Sequence, residues 1–302
     1  MIVRQKLSLK IVVQLTWKRV LFLAVYASVI VFLYQSEDQW YLALPPLPAT
    51  VMGTALGILL GFRNNSAYNR WWEARTLWGR VVNESRTFAR QIISFVSTGV
   101  KTAELRAVHT ELVYRQIAFA HALRCHLRKQ PPLEDLKPFL DASELEGLQQ
   151  EQNVPNALLQ RQSVRLQELH VAGCLDDFRQ MKLDERLTSL CDAQGGCERI
   201  KNTVFPRQYS RYTVAFVWIF IMYLPFALIK DLGYLAVPAS VIVSFVFLVL
   251  SSLAGAIENP FENTINDTPM TALSRTIEIN LRQQLGETAL PPAIQPVDGF
   301  LY

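Results

Sequence analysis

The sequence predicts an all-α integral membrane protein with four transmembrane helices and a large helical region outside the bilayer. Two observations carry this reading. The 302 residues are 50% hydrophobic and only 19% charged, against roughly 25% charged in typical soluble domains. The apolar residues also gather into four stretches that lack Asp, Glu, Lys, Arg and His, at 20–36, 39–62, 212–229 and 232–257. Each is near or above the roughly 18 residues that mark a candidate span. One such run fits a buried core helix; four do not.

The N-terminal segment, 1–19, is basic (Arg4, Lys6, Lys10, Lys18, Arg19) and reads as an amphipathic stretch at the membrane surface. The run behind it exceeds the roughly 7–15 apolar residues of a signal peptide, and no small-x-small cleavage site follows, so it is read as an uncleaved first span. The first two spans, 20–62, form a tight hairpin. Pro45, Pro46 and Pro48 stand near the start of the second, where a first helical turn tolerates them. Residues 63–205 form a helical insert, with apolar spacings of three and four over 66–98, 102–129, 133–150, 156–171 and 175–192. "VPN" breaks that pattern, and "AQGGCERIKNTVFP" reads as a Gly-Gly turn and a Phe-Pro corner leading into spans three and four at 206–257. The last region, 258–302, holds a polar loop, a helix at about 270–286 and an irregular tail.

Lys and Arg flank the start of the first run, the end of the second (Arg63, Arg70, Arg75, Arg80) and the start of the third (Arg207, Arg211). The positive-inside rule then puts both termini and the insert in the cytoplasm, with the chain multi-pass in the plasma (inner) membrane. The net charge of +4 is too small to imply a nucleic-acid partner. Cys125, Cys174, Cys191 and Cys197 and all four histidines lie in the insert, but no C-x-x-C pair or metal spacing appears. No cofactor or metal is expected. Nor does any nucleophile–base spacing or phosphate loop point to an enzyme.

The spans contain no ionisable group of the kind that proton pumps and voltage sensors need at depth. In "VMGTALGILLGF", Gly53, Gly57 and Gly61 recur every four residues, a spacing that allows close helix–helix approach. One position along, Thr54, Ile58 and Phe62 repeat with the same period. Around a symmetry axis this stripe would make a hydrophobic constriction; from periodicity alone, packing within a four-helix subunit is the preferred reading. Trp71, Trp72 and Trp78 fit an interfacial belt or packing on cytosolic helices, and Arg70 and Glu73 stand at pairing distance on a helix.

"GFRNNSAYNRWWEARTLWG", "GGCERIKNTVFP" and "ENPFENTINDTPM" together resemble the bestrophin family of ion channels, in its shorter prokaryotic branch. The first motif spans Gly61, Phe62, Arg63, Asn64, Asn65, Arg70, Trp71, Trp72 and Glu73. The resemblance implies a homopentamer around a central pore, with membrane lipid, permeant monovalent ions and copies of itself as partners. It places the pore neck on Thr54, Ile58 and Phe62, which reverses the packing preference, and the cytosolic aperture on Phe205. Thr54 departs from the aliphatic or aromatic residue common there. Animal members clasp calcium with a dense acidic run after N-P-F. Here only Asn259 and Asp267 match, so calcium activation of the animal type is not expected. Prokaryotic members are associated with monovalent cations, which tilts the expectation toward Na+ or K+, with chloride close behind. The remaining alternative is a non-conducting membrane scaffold or signalling protein.

Overall fold

The computed structural model describes residues 1, 9–36, 40–97 and 102–301. The described residues are helical: α1 (Leu9–Ser36), α2 (Pro46–Phe95), α3 (Thr102–Arg128), α4 (Leu133–Leu136), α5 (Ala142–Leu148), α6 (Val154–Val171), α7 (Asp177–Asn202), α8 (Arg207–Leu232), α9 (Ala236–Ile257) and α10 (Met270–Gln284). The early part of the basic N-terminal segment lies outside the described residues, and α1 already runs from Leu9. Three helical stretches are long and apolar enough to cross a membrane: Trp17–Ser36, Pro46–Phe95 and Gln208–Ile257. The last carries two helices, because α8 stops at Gly233, whose φ of 52° is the left-handed conformation that glycine adopts without a Cβ clash. Contacts divide the chain into two compact units, one of residues 4–70 and 204–258, the other of 1–3, 71–203 and 259–302.

In the first unit α1 packs on α9 and α8, and α8 packs on α9. The packing face of α9 is small and polar: Ala236, Ser240, Ser244, Ser251 and Ala254 are buried with Leu248. Residues of that size let backbones approach closely where lipid supplies no hydrophobic drive. Ile242, Val246 and Leu253 on α9, and Leu21, Phe22, Val25 and Val29 on α1, are exposed, the inside-out pattern of helices solvated by hydrocarbon. Pro225 interrupts α8. Nearby the Tyr26 hydroxyl donates to the Met222 carbonyl at 2.8 Å, and the Leu44 N–H donates to the Phe226 carbonyl at 3.0 Å, which tie α8 to α1 and to the segment that precedes α2.

The second unit is built on α3, buried almost all round from Leu112 to Leu127 and packed against α6 and α10. Trp78, Phe88, Phe119, Leu123, Leu158 and Ile277 are fully enclosed in its core. The predicted 133–150 helix is instead two short ones, with Asp141 accepting from the Glu144 N–H at 2.8 Å to start α5. "VPN" opens α6 rather than merely ending what precedes it: Asn153 accepts from the Asn156 N–H, and Pro155 fills a first-turn position whose N–H would go unused. The expected Gly-Gly turn is absent. Gly195 and Gly196 lie inside α7, where a Cβ on Gly196 would come within 2.9 Å of the Leu77 methyls. The missing side chain serves close packing of α7 on α2, and sequence alone does not separate that use from a turn. The tail after α10 is irregular apart from a Val297–Phe300 bridge, and α10 itself ends at Gln284.

Burial opposes ionisation of Glu278, but His121, Arg275 and Arg282 more than offset it and hold its carboxyl below the ordinary range. His121 Nε2 lies 3.4 Å from its carboxylate, so this cluster ties α3 to α10 inside the second unit. The thiols differ sharply. Cys197 is buried, and burial with Glu198 and Glu73 nearby pushes it up to about 12. Cys191 is exposed, while Cys125 and Cys174 are buried. Maleimide at neutral pH is therefore expected to modify one thiol per folded chain quickly, abolished by Cys191→Ser. Rapid labelling of two or more would contradict this burial pattern.

Candidate functional site

Within its unit α2 buries Ala49, Leu56, Leu60, Arg63 and Ala67, a recurrence of three, four and seven that defines one helix face. Thr54, Ile58 and Phe62 lie on the opposite face. Ile58 is 58% and Phe62 66% exposed, and Thr54 is exposed too. Ile58 and Phe62 are large apolar side chains that the described residues of this unit leave uncovered. The glycine ridge divides: Gly53 rests against the Phe220 ring, whereas a Cβ on Gly57 or Gly61 would meet nothing within 4 Å. Two of the three glycines thus share the uncovered side with Thr54, Ile58 and Phe62. The Thr54 hydroxyl donates to the Thr50 carbonyl at 3.0 Å. Its proton is engaged by backbone, so the group is less free to hydrogen-bond water than an unbonded hydroxyl would be.

Phe205 lies just before α8 and is half-buried, its ring edge-on to Tyr209 at 6.1 Å between centroids. The Tyr209 hydroxyl donates to the Leu59 carbonyl at 3.4 Å, which anchors the start of α8 to α2.

The motif that opens at Gly61 does different work at each position. Arg63 is buried beside Glu258, with 3.5 Å between Nη2 and Oε2, and Asn64 donates to the Leu250 carbonyl at 3.0 Å. Asn65 is exposed and Arg70 half-buried. In the second unit Trp71 donates to the Asn266 carbonyl at 2.8 Å, which locks the start of that unit's α2 segment to the polar loop. Trp72 is 55% exposed and Trp78 fully buried, so the three tryptophans do not form one belt. Glu73 pairs with Arg199 of α7.

Asn259 is exposed, while Asp267 is buried, 3% exposed. Asp267 Oδ2 accepts from the Thr264 N–H at 3.1 Å and Oδ1 from the Thr264 hydroxyl at 2.5 Å. Both oxygens are thereby spent on closing the loop. Among the described residues no group of three or more His, Cys, Asp or Glu side chains stands in a metal-holding arrangement.

The profile of the Bacterial/Fungal Bestrophin protein family matches residues 4–283. The chain belongs to the bestrophin family. A voltage-dependent anion channel-forming protein of Escherichia coli K12 is 36% identical over 249 residues, covering 82% of this chain and 80% of its own. One from Mesorhizobium japonicum is 34% identical over 279 residues, 92% of this chain and 87% of the relative. The crystal structure of a bacterial bestrophin homologue from Klebsiella pneumoniae superposes with a TM-score of 0.83 at 33% identity, over 89% of this chain and 98% of that one. The chain is therefore a membrane protein of a channel-forming family and not an enzyme. The relatives' names point to anions, where the sequence leaned toward cations.

Two features were missed at the sequence level. Arg63 reads as a charge marking the end of the hydrocarbon, yet it turns into the bundle; the one available signal was Glu258, the first charge after the fourth apolar run and 195 positions away. The division of the glycine ridge needed the position of Phe220, which no local pattern gives.

Proposed function

We propose that the chain is one subunit of a pentameric channel that passes monovalent anions such as chloride passively across the bacterial inner membrane. The observation that carries the proposal is the uncovered face of α2: Thr54, Ile58 and Phe62 are turned away from the subunit's own core, and five copies around an axis would cover them with one another. In this reading 20–36, 39–62, 212–229 and 232–257 each cross the bilayer, both termini are cytoplasmic, and the three side chains form rings of a hydrophobic neck that gates by wetting. Phe205 forms the second constriction, at the cytosolic mouth.

The sign of the ion follows from two supports. One is the naming of the relatives as anion channel formers. The other is charge on the same helix. On the α2 segment of the other unit, Trp72, Thr76 and Arg80 are exposed. Among the described residues neither Arg80 nor the exposed Arg90 has an ion-pair partner, whereas the acids on this stretch, Glu73 and Glu84, pair with Arg199 and Arg186. A wall with uncompensated positive charge concentrates anions.

Calcium does not gate this channel, because Asp267 is already occupied and the acidic run is missing. Chloride flux from liposomes is expected to stay flat across a calcium titration through the micromolar range; a steep rise would contradict the assignment of Asp267 to loop closure. The assembly itself is tested by native mass spectrometry in detergent. Five copies of the 34.4 kDa chain are expected, and a monomer or dimer would leave no axis for the neck.

A further inference from the structure

Arg63 follows Phe62 directly, and its side chain is 5% exposed. An arginine at the end of a span ordinarily extends its head group to water; this one is turned into the bundle formed with α9. Its contacts there are long. Nη2 lies 3.5 Å from Glu258 Oε2, and Nη1 lies 3.5 Å from the Ser251 carbonyl, both at the outer limit of hydrogen bonding. Arg63 Nε and Glu258 Oε2 are buried without any hydrogen bond. The pair is therefore held by charge rather than by geometry, in surroundings where charge acts at long range.

Glu258 stands where helix physics disfavours it. It is the C-cap of α9, the end at which the helix dipole repels an anion. Its side chain is 19% exposed, so water does not screen it fully. Arg63 is the only cation among the described residues that forms an ion pair with it. Helix stability does not account for an acid at this position, and compensation of Arg63 does. Between Thr54 and Phe62 the helix carries no charge, so Arg63, on the buried face directly after Phe62, is the fixed charge on α2 nearest the stripe.

We infer that the Arg63–Glu258 pair is a selectivity-setting element: Glu258 masks the Arg63 guanidinium and so limits how strongly the neck favours anions. The inference rests on the pore reading above. Removing the acid alone leaves one unbalanced positive charge per subunit behind the stripe, where it acts through the helix at long range, removing the arginine alone leaves one unbalanced negative charge, and removing both restores neutrality.

The experiment is a set of bilayer reversal potentials under a sodium chloride gradient. Glu258→Gln is expected to raise the chloride-to-sodium permeability ratio on the order of fivefold, and Arg63→Met to lower it by a similar factor. The double variant R63M/E258M is expected to lie close to the wild type, since a buried pair exchanged whole for apolar residues usually leaves folding intact. A purely structural role would move both single variants in the same direction or change only current size. Should a homomeric single variant fail to assemble, co-expression with excess wild-type subunits gives assemblies carrying about one altered copy, in which a smaller shift of the same sign is expected. Single variants that conduct, alone or mixed, with the wild-type ratio overturn the inference. Ile58→Ala is recorded alongside: if it leaves conductance unchanged, or the wild type passes no current, the pore reading fails and takes this inference with it.

Discussion

Replacing Ile58 and Phe62 together by alanine is expected to raise ion flux about tenfold, with little loss of subunit stability. In the proposed pore, flux would rise because two apolar rings are cut back where dewetting would set the resistance, and a wider, less apolar ring holds water more readily. Stability holds because both side chains project from the subunit, 58% and 66% exposed, and truncation there opens no cavity inside it. The neighbouring change gives the contrast. Leu60, on the same helix but 1% exposed, lies in the core with Phe220 and Leu224, and Leu60→Ala is expected to cost about 2–5 kcal/mol without widening the passage. Single-channel recording of assembled protein reads the first effect, and thermal unfolding in detergent reads the second. An Ile58/Phe62 variant that assembles and conducts like the wild type would remove these residues from the ion path.

Trp78→Ala is expected to produce the largest loss of stability, about 3–5 kcal/mol. The indole is fully buried in the core of the second unit, among side chains that include Phe88, Ile92 and Leu123. Its Nε1 is buried without a hydrogen-bond partner, so part of the ring's packing gain is already offset by a desolvated N–H. Trp78→Phe removes that N–H while keeping most of the ring, and is expected to cost roughly 1 kcal/mol or less. A phenylalanine variant as damaged as the alanine one would show that the indole N–H has a partner in the working protein.

The sequence made the helices legible in proportion to their length and to how one-sided their surroundings are. The four apolar runs coincide with α1, the first part of α2, α8 and α9, because hydrocarbon demands uninterrupted apolar helix and few other patterns imitate it. Thr102–Arg128 was predicted to within a residue, since buried positions recur along it at helical spacing. The short elements were not legible: α4 and α5 merge into one periodic stretch, and only the cap at Asp141 separates them. Gly195 and Gly196 misled, because glycine serves both turns and close packing and the difference is the position of Leu77, more than 100 residues earlier. The stripe at Thr54, Ile58 and Phe62 was visible as periodicity, but its direction was not; that required knowing what covers the opposite face. Arg63 was read by type as a surface charge, and its burial depends on a partner that tertiary structure alone brings close.

The central claim is that anions move through the passage lined by α2. The measurement that tests it most directly is the reversal potential of the purified wild-type protein in a planar bilayer under a tenfold sodium chloride gradient. The account predicts a potential displaced toward the chloride equilibrium value, in keeping with the exposed Arg80 and Arg90, which have no ion-pair partner among the described residues. Displacement toward the sodium value would contradict it, and would mean that the uncharged rings, rather than the arginines beyond them, decide which ion passes.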